Sequence, residues 1–208
     1  MKSGHETYGI WRLHIKANEY LSLVPHDLTY FRDHFVGRPM SRDWAPPPIT
    51  ISGRSKKLPD FVNWMVQVPV VSEKARSVLS PMIGDYVQFL PFHELKRKRY
   101  YALNVTCVET SILSEAKSGI RYRDGAGKEP MSLDRAAFDV DPSYKLPPIF
   151  KVSLPQGPVF SDVYVARPFA DIAIEHRLTG FELADPSEVS RLYIIEGRSQ
   201  NVVPGIVG

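Results

Sequence analysis

The sequence predicts an α+β fold: a mixed, mainly antiparallel sheet with two short helices packed on it and many loops. Short runs of aromatic and β-branched residues recur along the 208-residue chain, and such runs are typical of strands. Only two segments, both short, place apolar residues at helical spacing. The 18 prolines are scattered, so they interrupt elements and exclude a helical bundle.

Composition indicates an ordinary globular protein, with 43% hydrophobic and 24% charged residues. The formal net charge of +3 is far below that of a dedicated nucleic-acid binder, so we do not expect nucleic acid as the partner. The single cysteine, Cys107, allows no intrachain disulfide and fits a reducing compartment. No apolar run approaches the roughly 20 residues of a membrane span, and no signal peptide is recognisable. We therefore expect a soluble, cytoplasmic protein.

The N-terminal region predicts few regular elements. Residues 8–15 mix aromatic and β-branched side chains and predict a strand, and residues 49–51 predict a short second one. Residues 17–43 show no clean period. Residues 44–48 read WAPPP and must be extended, because each proline fixes φ and biases its predecessor away from the helix. Residues 53–57 read GRSKK and predict a solvated turn.

The clearest helix is predicted over residues 72–82, after a strand at 61–68. Ser72 can accept a hydrogen bond from a free backbone N–H of the first turn, and Glu73 suits the helix dipole. Gly84 ends the helix. One apolar stripe follows from the spacing of Ala75, Val78, Leu79 and Met82.

An antiparallel hairpin is predicted next. Its strands cover residues 86–92 and 100–108, and the charged run Lys96, Arg97, Lys98 and Arg99 forms the turn. The turn is the densest basic run of the chain.

The C-terminal half predicts shorter elements. Residues 114–147 are rich in Gly, Asp, Lys and Pro, and predict a long, partly ordered connection. Pro168 can open a second helix, which Gly180 closes. Strands are predicted at 149–154, 159–165, 181–183 and 192–195. We expect a single domain over residues 1–208, with an irregular region over 1–55, a core over 60–185 and a frayed tail over 198–208.

No motif for a catalytic centre is visible. The sequence holds no glycine-rich phosphate loop and no nucleophile elbow, and its histidines have no metal-ligand spacing. We therefore predict no catalytic residue, no cofactor and no metal, which favours binding over catalysis.

Two alternative functions remain open. Asp139 and Asp141 alternate along one segment, so both could hold a divalent metal in a metal-dependent hydrolase. Lys96 to Arg99, flanked by Tyr100 and Tyr101, could bind RNA through phosphate attraction and base stacking. The same basic run could instead contact an acidic protein patch.

Six short blocks carry a more specific signal. They are 69–75 (PVVSEKA), 87–91 (VQFLP), 101–105 (YALNV), 149–151 (IFK), 163–165 (VYV) and 178–181 (LTGF). In order and spacing they resemble immunity protein family eleven of bacterial polymorphic toxin systems, over roughly residues 60–185. The chain departs from that pattern at Ala166, where the family often has a serine like Ser72.

The resemblance implies a non-catalytic, cytoplasmic antidote that binds a cognate toxin domain, with a nuclease-type effector as the plausible partner. It carries no catalytic residues over, and its blocks are framework. Specificity should then lie on connections held by the framework. Because Trp, Tyr and Arg dominate binding energy at interfaces, the candidate partner-binding residues are Trp44, Lys96, Arg97, Lys98, Arg99, Tyr122 and Tyr144.

Overall fold

The computed structural model describes residues 9–17, 19–27, 34–41, 43–52, 55–65, 68–123 and 129–189, without the side chain of Met65. Within these ranges the helices are α1 (Glu73–Ile83) and α2 (Arg167–Glu175). The strands are β1 (Ile10–Ile15), β2 (Ser22–Pro25), β3 (Ile49–Ser52), β4 (Phe61–Met65), β5 (Val68–Ser72), β6 (Val87–Pro91), β7 (Tyr100–Val105), β8 (Val108–Glu109), β9 (Gly119–Arg123), β10 (Glu129–Arg135), β11 (Ile149–Val152), β12 (Tyr164–Ala166) and β13 (Phe181–Ala184).

The strands are divided among three sheets. A 6-stranded sheet has the order β3-β2-β4-β5-β7-β6, a 5-stranded sheet has the order β13-β1-β12-β11-β8, and β9 pairs with β10 alone. Two pairs are parallel, β2 with β4 and β8 with β11, and the other pairs are antiparallel. The predicted α+β class, mixed and mainly antiparallel, is confirmed, although two large sheets replace the one that the sequence predicts.

Both helices follow directly from buried strands. Ser72 caps α1, since its Oγ accepts a hydrogen bond from the Ala75 N–H at 3.1 Å, and it also donates to Asp60 Oδ1 at 2.9 Å. The predicted cap is therefore confirmed. Ala166 offers α2 no side-chain cap, and a proline in the first turn takes the position where a missing N–H costs nothing.

One apolar core joins the two large sheets. Residues from β5, β6 and β7 of one sheet meet residues from β1, β11 and β12 of the other, together with the inner faces of α1 and α2. Phe61, Val71, Leu79 and Phe169 are fully buried in this core. The two sheets therefore form one packed unit around the helix pair.

Five sequence predictions need correction. The hairpin strand predicted over 100–108 ends at Val105, and Val108 lies in β8 of the other large sheet. The strand predicted over 159–165 begins only at Tyr164. The connection over 114–147 contains the β9–β10 hairpin, whose register is broken by two shifts. The single strand predicted at 61–68 is instead two antiparallel strands, β4 and β5. The irregular region 17–43 contains β2. The strand at 192–195 and the tail at 198–208 lie outside the described residues.

Neither helix in the described ranges is long and apolar enough to cross a membrane.

Candidate interaction surface

The β6–β7 hairpin is anchored by apolar side chains along its whole length. All six residues of β7 are buried, and β5 pairs with its far side. Beyond the strands, Phe92 and Leu95 also point into an apolar cluster, with Leu95 only 2% exposed. The ring of Phe92 lies 4.6 Å from that of Trp64. The end of the hairpin is consequently held firmly against the core.

The hairpin closes in a tight two-residue turn. The N–H of Leu95 donates to the carbonyl of Lys98, and the N–H of Lys98 donates back to Leu95, both at 3.0 Å. Lys96 and Arg97, the two central residues, have φ of 50° and 63°. Positive φ at both central positions is the signature of a type I′ turn, in which asparagine and glycine are preferred. A lysine and an arginine in this conformation are strained.

A second segment joins this turn to form the surface that we call the basic tip: Lys56, Lys57, Lys96, Arg97, Lys98 and Arg99. Each of these six residues is exposed to water. Lys96 Nζ donates to the backbone carbonyl of Lys56 at 2.5 Å, which links the two segments. Sequence reasoning missed Lys56 and Lys57, because no local signal places Lys56 beside residue 96. Residues 53 and 54 of the predicted turn lie outside the described residues.

Most of the positive charge on the basic tip is not neutralised. Arg99 Nε lies 3.4 Å from Glu73 Oε2. In the described part of the chain, no carboxylate lies within ion-pair distance of the other five basic residues. The hydrogen bond from Tyr101, followed by the nearby charges of Arg99 and Arg76, holds the pKa of Glu73 below its usual value. Glu73 therefore stays ionised as the counter-charge of Arg99.

The tyrosines that flank the basic run point inward. Tyr100 is 2% exposed and its hydroxyl donates to the carbonyl of Pro59 at 2.9 Å. Burial raises the pKa of Tyr100 to about 12. Tyr101 is 8% exposed, and its ring faces the guanidinium of Arg76 at 4.5 Å. Neither ring offers a face on which a base could stack.

Trp44 lies beside the same hairpin, and its side chain makes contacts within the fold. Its indole N–H donates to the carbonyl of Pro91 at 2.7 Å, and its ring meets Phe35 edge-on at 6.0 Å. A further hydrogen bond joins His93 Nε2 to the carbonyl of Pro47 at 2.8 Å. The extended segment that the prolines predict thus runs along the outer edge of β6 and covers it.

Tyr122 and Tyr144 lie elsewhere, with their hydroxyls bound to carboxylates. Tyr122 donates to Glu115 at 2.8 Å, and Tyr144 donates to Glu109 at 2.8 Å. These hydrogen bonds raise the pKa of both tyrosines. The structure therefore brings five of the seven predicted residues to one hairpin and leaves the two tyrosines on a different part of the surface.

Asp139 and Asp141 do not converge on a common point. Lys117 binds Asp139, and this hydrogen bond lowers the pKa of the carboxyl group. Asp141 Oδ1 accepts from the N–H and the hydroxyl of Ser143, at 2.7 and 2.6 Å, which lowers its pKa as well. Among the described residues, no group of three or more His, Cys, Asp or Glu side chains is arranged to hold a metal ion.

Cys107 is half-buried at the end of the hairpin. Burial, with a smaller contribution from Glu109, raises the pKa of its thiol to about 11. The thiol is therefore protonated near neutral pH.

A buried polar cluster fastens the β9–β10 hairpin to β1. Arg12 Nε lies 3.3 Å from Asp162 Oδ2, and both side chains are less than 5% exposed. The same guanidinium donates to the backbone carbonyls of Asp134 and Pro186, at 3.2 and 3.1 Å. Lys151 is also buried, and its charge interacts with that of Asp162. Its ammonium group donates to the carbonyl of Phe35 at 2.7 Å, and burial lowers its pKa to about 8.

The chain matches no protein-family model, and no curated protein matches it.

Proposed function

We propose that this protein is an immunity protein, which binds and neutralises a cognate bacterial toxin domain without a catalytic step of its own. The cytoplasm is the proposed place of action, and a nuclease-type effector is the proposed class of toxin. The partner is a protein, so the function depends on an exposed surface rather than on an enclosed pocket.

The main support comes from the six sequence blocks that resemble the immunity family. Although they are far apart in sequence, every block contributes to the same apolar core. Two of the contributors, Phe89 and Phe181, are partly buried and pack against its edge. The fully included contributors are Val71, Ala75, Val87, Tyr101, Leu103, Val105, Ile149, Val163, Val165 and Leu178. Blocks that mark a common framework are expected to meet in this way.

A further support is the way in which charge is distributed. A framework that binds a protein must display residues that its own fold does not use. The basic tip has this property, because five of its six cations make no ion pair with the described part of the chain.

The test starts from the reading frame immediately upstream of the gene, where we expect a large secreted protein that ends in a toxin domain. We expect co-expression of this protein to restore growth of a bacterial host that the toxin domain otherwise kills. With purified components, we expect toxin activity to fall linearly and to reach zero when the two proteins are equimolar, because a non-catalytic inhibitor is consumed by binding.

Two results would contradict the proposal. Failure to bind or inhibit the toxin domain would remove the immunity function. Complete protection at a small fraction of the toxin concentration would show turnover, and the protein would then be an enzyme. A catalytically inactive toxin variant serves as the control, since it should bind equally well while leaving growth unaffected.

A further inference from the structure

We infer that the basic tip is the surface that binds the partner, and that the partner presents an acidic protein face to it. This inference rests on the proposed function, because it specifies the chemistry of the toxin surface. It selects one of the candidate regions and adds Lys56, whose backbone carbonyl accepts a hydrogen bond from Lys96, together with its exposed neighbour Lys57.

The first argument concerns charge. Elsewhere in the described chain several exposed cations are paired, among them Lys117 with Asp139, Arg121 with Asp134, and Arg123 with Glu129. The exposed cations of the described ranges that have no ion pair and lie outside the tip occur singly along the sequence, at Arg38, Arg135, Lys145, Arg167 and Arg177, whereas the tip holds a run of four and a neighbouring pair. At the basic tip only Arg99 has such a partner, Glu73. A cluster of like charges disfavours its own fold, and a complementary acidic face relieves that repulsion.

The second argument concerns the backbone. Lys96 and Arg97 occupy left-handed conformations that lysine and arginine rarely adopt. An Asn-Gly pair would close the same turn with less strain. Residues that lower stability where a better choice exists point to a role outside folding.

The third argument concerns rigidity. Leu95 and Phe92 are buried directly below the turn, and Lys96 is tied to the carbonyl of Lys56. The charged residues are thus presented on a backbone that is already ordered. Binding then costs less conformational entropy than binding through an unanchored loop.

The surroundings favour an acidic protein over RNA. Single-stranded RNA is held by a positive groove together with exposed aromatic rings on which bases stack. Tyr100 and Tyr101, the aromatic residues next to the run, are buried.

The experiment compares two triple variants with the unmodified protein. The first, Lys96→Glu/Arg97→Glu/Lys98→Glu, reverses the turn. The second, Lys117→Glu/Arg123→Glu/Lys145→Glu, makes the same change in net charge at three exposed cations outside the tip. Urea unfolding and near-ultraviolet circular dichroism establish that each variant is folded before binding is measured.

Association with the upstream-encoded toxin domain is measured by stopped flow at low and high salt. For the unmodified protein we expect the association rate to fall steeply with salt. Reversal of the turn should lower the low-salt rate by about tenfold or more and flatten its salt dependence, because steering of the partner is lost. The control triple variant should retain most of the rate and the salt dependence.

The outcomes separate the two proposals. If the unmodified protein neutralises the toxin domain and the turn reversal binds it equally well, the basic tip is not the surface, while the immunity function stands. If the unmodified protein neither binds nor inhibits, the immunity function fails. If the turn reversal instead abolishes salt-dependent binding of a single-stranded oligouridylate and leaves toxin binding unchanged, the tip is an RNA site and the inference is overturned.

Discussion

The β6–β7 and β9–β10 hairpins are both rich in charge, but they use their charges differently. The first is held by apolar contacts, since every residue of β7 is buried. In β10 only Leu133 is buried. Polar contacts to the rest of the fold, such as the hydrogen bond from Arg12 to the backbone carbonyl of Asp134 at 3.2 Å, add to the apolar contacts of Leu133 and Ile120 in the second hairpin. The comparison teaches that a hairpin anchored by apolar contacts can leave its cations available to a partner.

The largest expected effect tests the polar anchor of the β9–β10 region. Asp162→Asn should lower the free energy of unfolding by about 4 kcal/mol, because it leaves the buried Arg12 guanidinium without its counter-charge. Asp139→Asn is the matched control. It breaks an exposed pair with Lys117 and should cost at most about 0.5 kcal/mol. Urea unfolding measures both, and equal effects would mean that the buried pair does not anchor the hairpin.

The next effect tests the apolar anchor of the β6–β7 hairpin. Leu103→Ala removes a side chain that is 1% exposed, and should cost about 3 kcal/mol of unfolding free energy. Met131→Ala, at a position on β10 that is 56% exposed, should change it by less than about 0.5 kcal/mol. Urea denaturation again provides the measurement. A comparable loss at Met131 would show that the two hairpins are anchored alike.

A third prediction compares a buried lysine with the displayed ones. Burial lowers the pKa of Lys151 to about 8 from 10.5, so the unfolded chain binds more protons than the folded chain between these values. The free energy of unfolding should therefore rise between pH 8 and pH 9, by on the order of 1 kcal/mol. Above pH 9 the unfolded chain loses the Cys107 proton, because burial raises the pKa of that thiol from 9.0 to about 11 in the folded chain, and this loss offsets the rise. Lys151→Met should abolish this rise, whereas Lys98→Met, at an exposed position of the turn, should retain it.

Above pH 10 the direction should reverse. Burial raises the pKa of Tyr100 to about 12, so the unfolded chain loses this proton first and stability falls as the pH approaches 12. In a pH series of urea unfolding curves, the free energy of unfolding should consequently rise from pH 8, level off between pH 9 and pH 10, and fall above pH 10. A rise that persists in Lys151→Met would assign it to another group.

The smallest expected change in stability comes from a double substitution at the turn, which should affect stability and partner binding in opposite directions. Lys96→Asn/Arg97→Gly places preferred residues in the left-handed positions, and should raise the free energy of unfolding by about 1 kcal/mol. The same variant removes two cations from the basic tip, so its association with the toxin domain should slow. Thermal unfolding and stopped-flow association measure the two effects. A variant that is more stable and binds at the original rate would show that neither side chain contacts the partner.

Local patterns predicted the elements whose stabilisation is local. Ser72 caps α1 because a hydroxyl at that position can reach the third N–H of the helix, and the structure has this hydrogen bond. The strands of the β6–β7 hairpin follow from dense apolar runs on either side of a charged turn. The β9–β10 hairpin was missed because its attachment depends on Arg12, which is distant in sequence and gives no local signal.

The candidate surface could be predicted only in part, for the same reason. The charge run identified Lys96 to Arg99, but adjacency of Lys56 to the turn is a tertiary contact between distant segments. The aromatic residues predicted as binding groups are divided by the fold. Tyr122 and Tyr144 bind carboxylates away from the tip, and Trp44 contributes its indole N–H to the edge of β6.

Lysine footprinting of the complex tests the central claim most directly. The protein is acetylated with an amine-reactive ester, alone and bound to the upstream-encoded toxin domain, and each lysine is quantified by mass spectrometry. We predict that Lys56, Lys57, Lys96 and Lys98 lose reactivity in the complex, while Lys117 and Lys145, exposed outside the tip, react equally in both states. Protection of Lys117 and Lys145 with unchanged labelling of the basic tip would contradict the account.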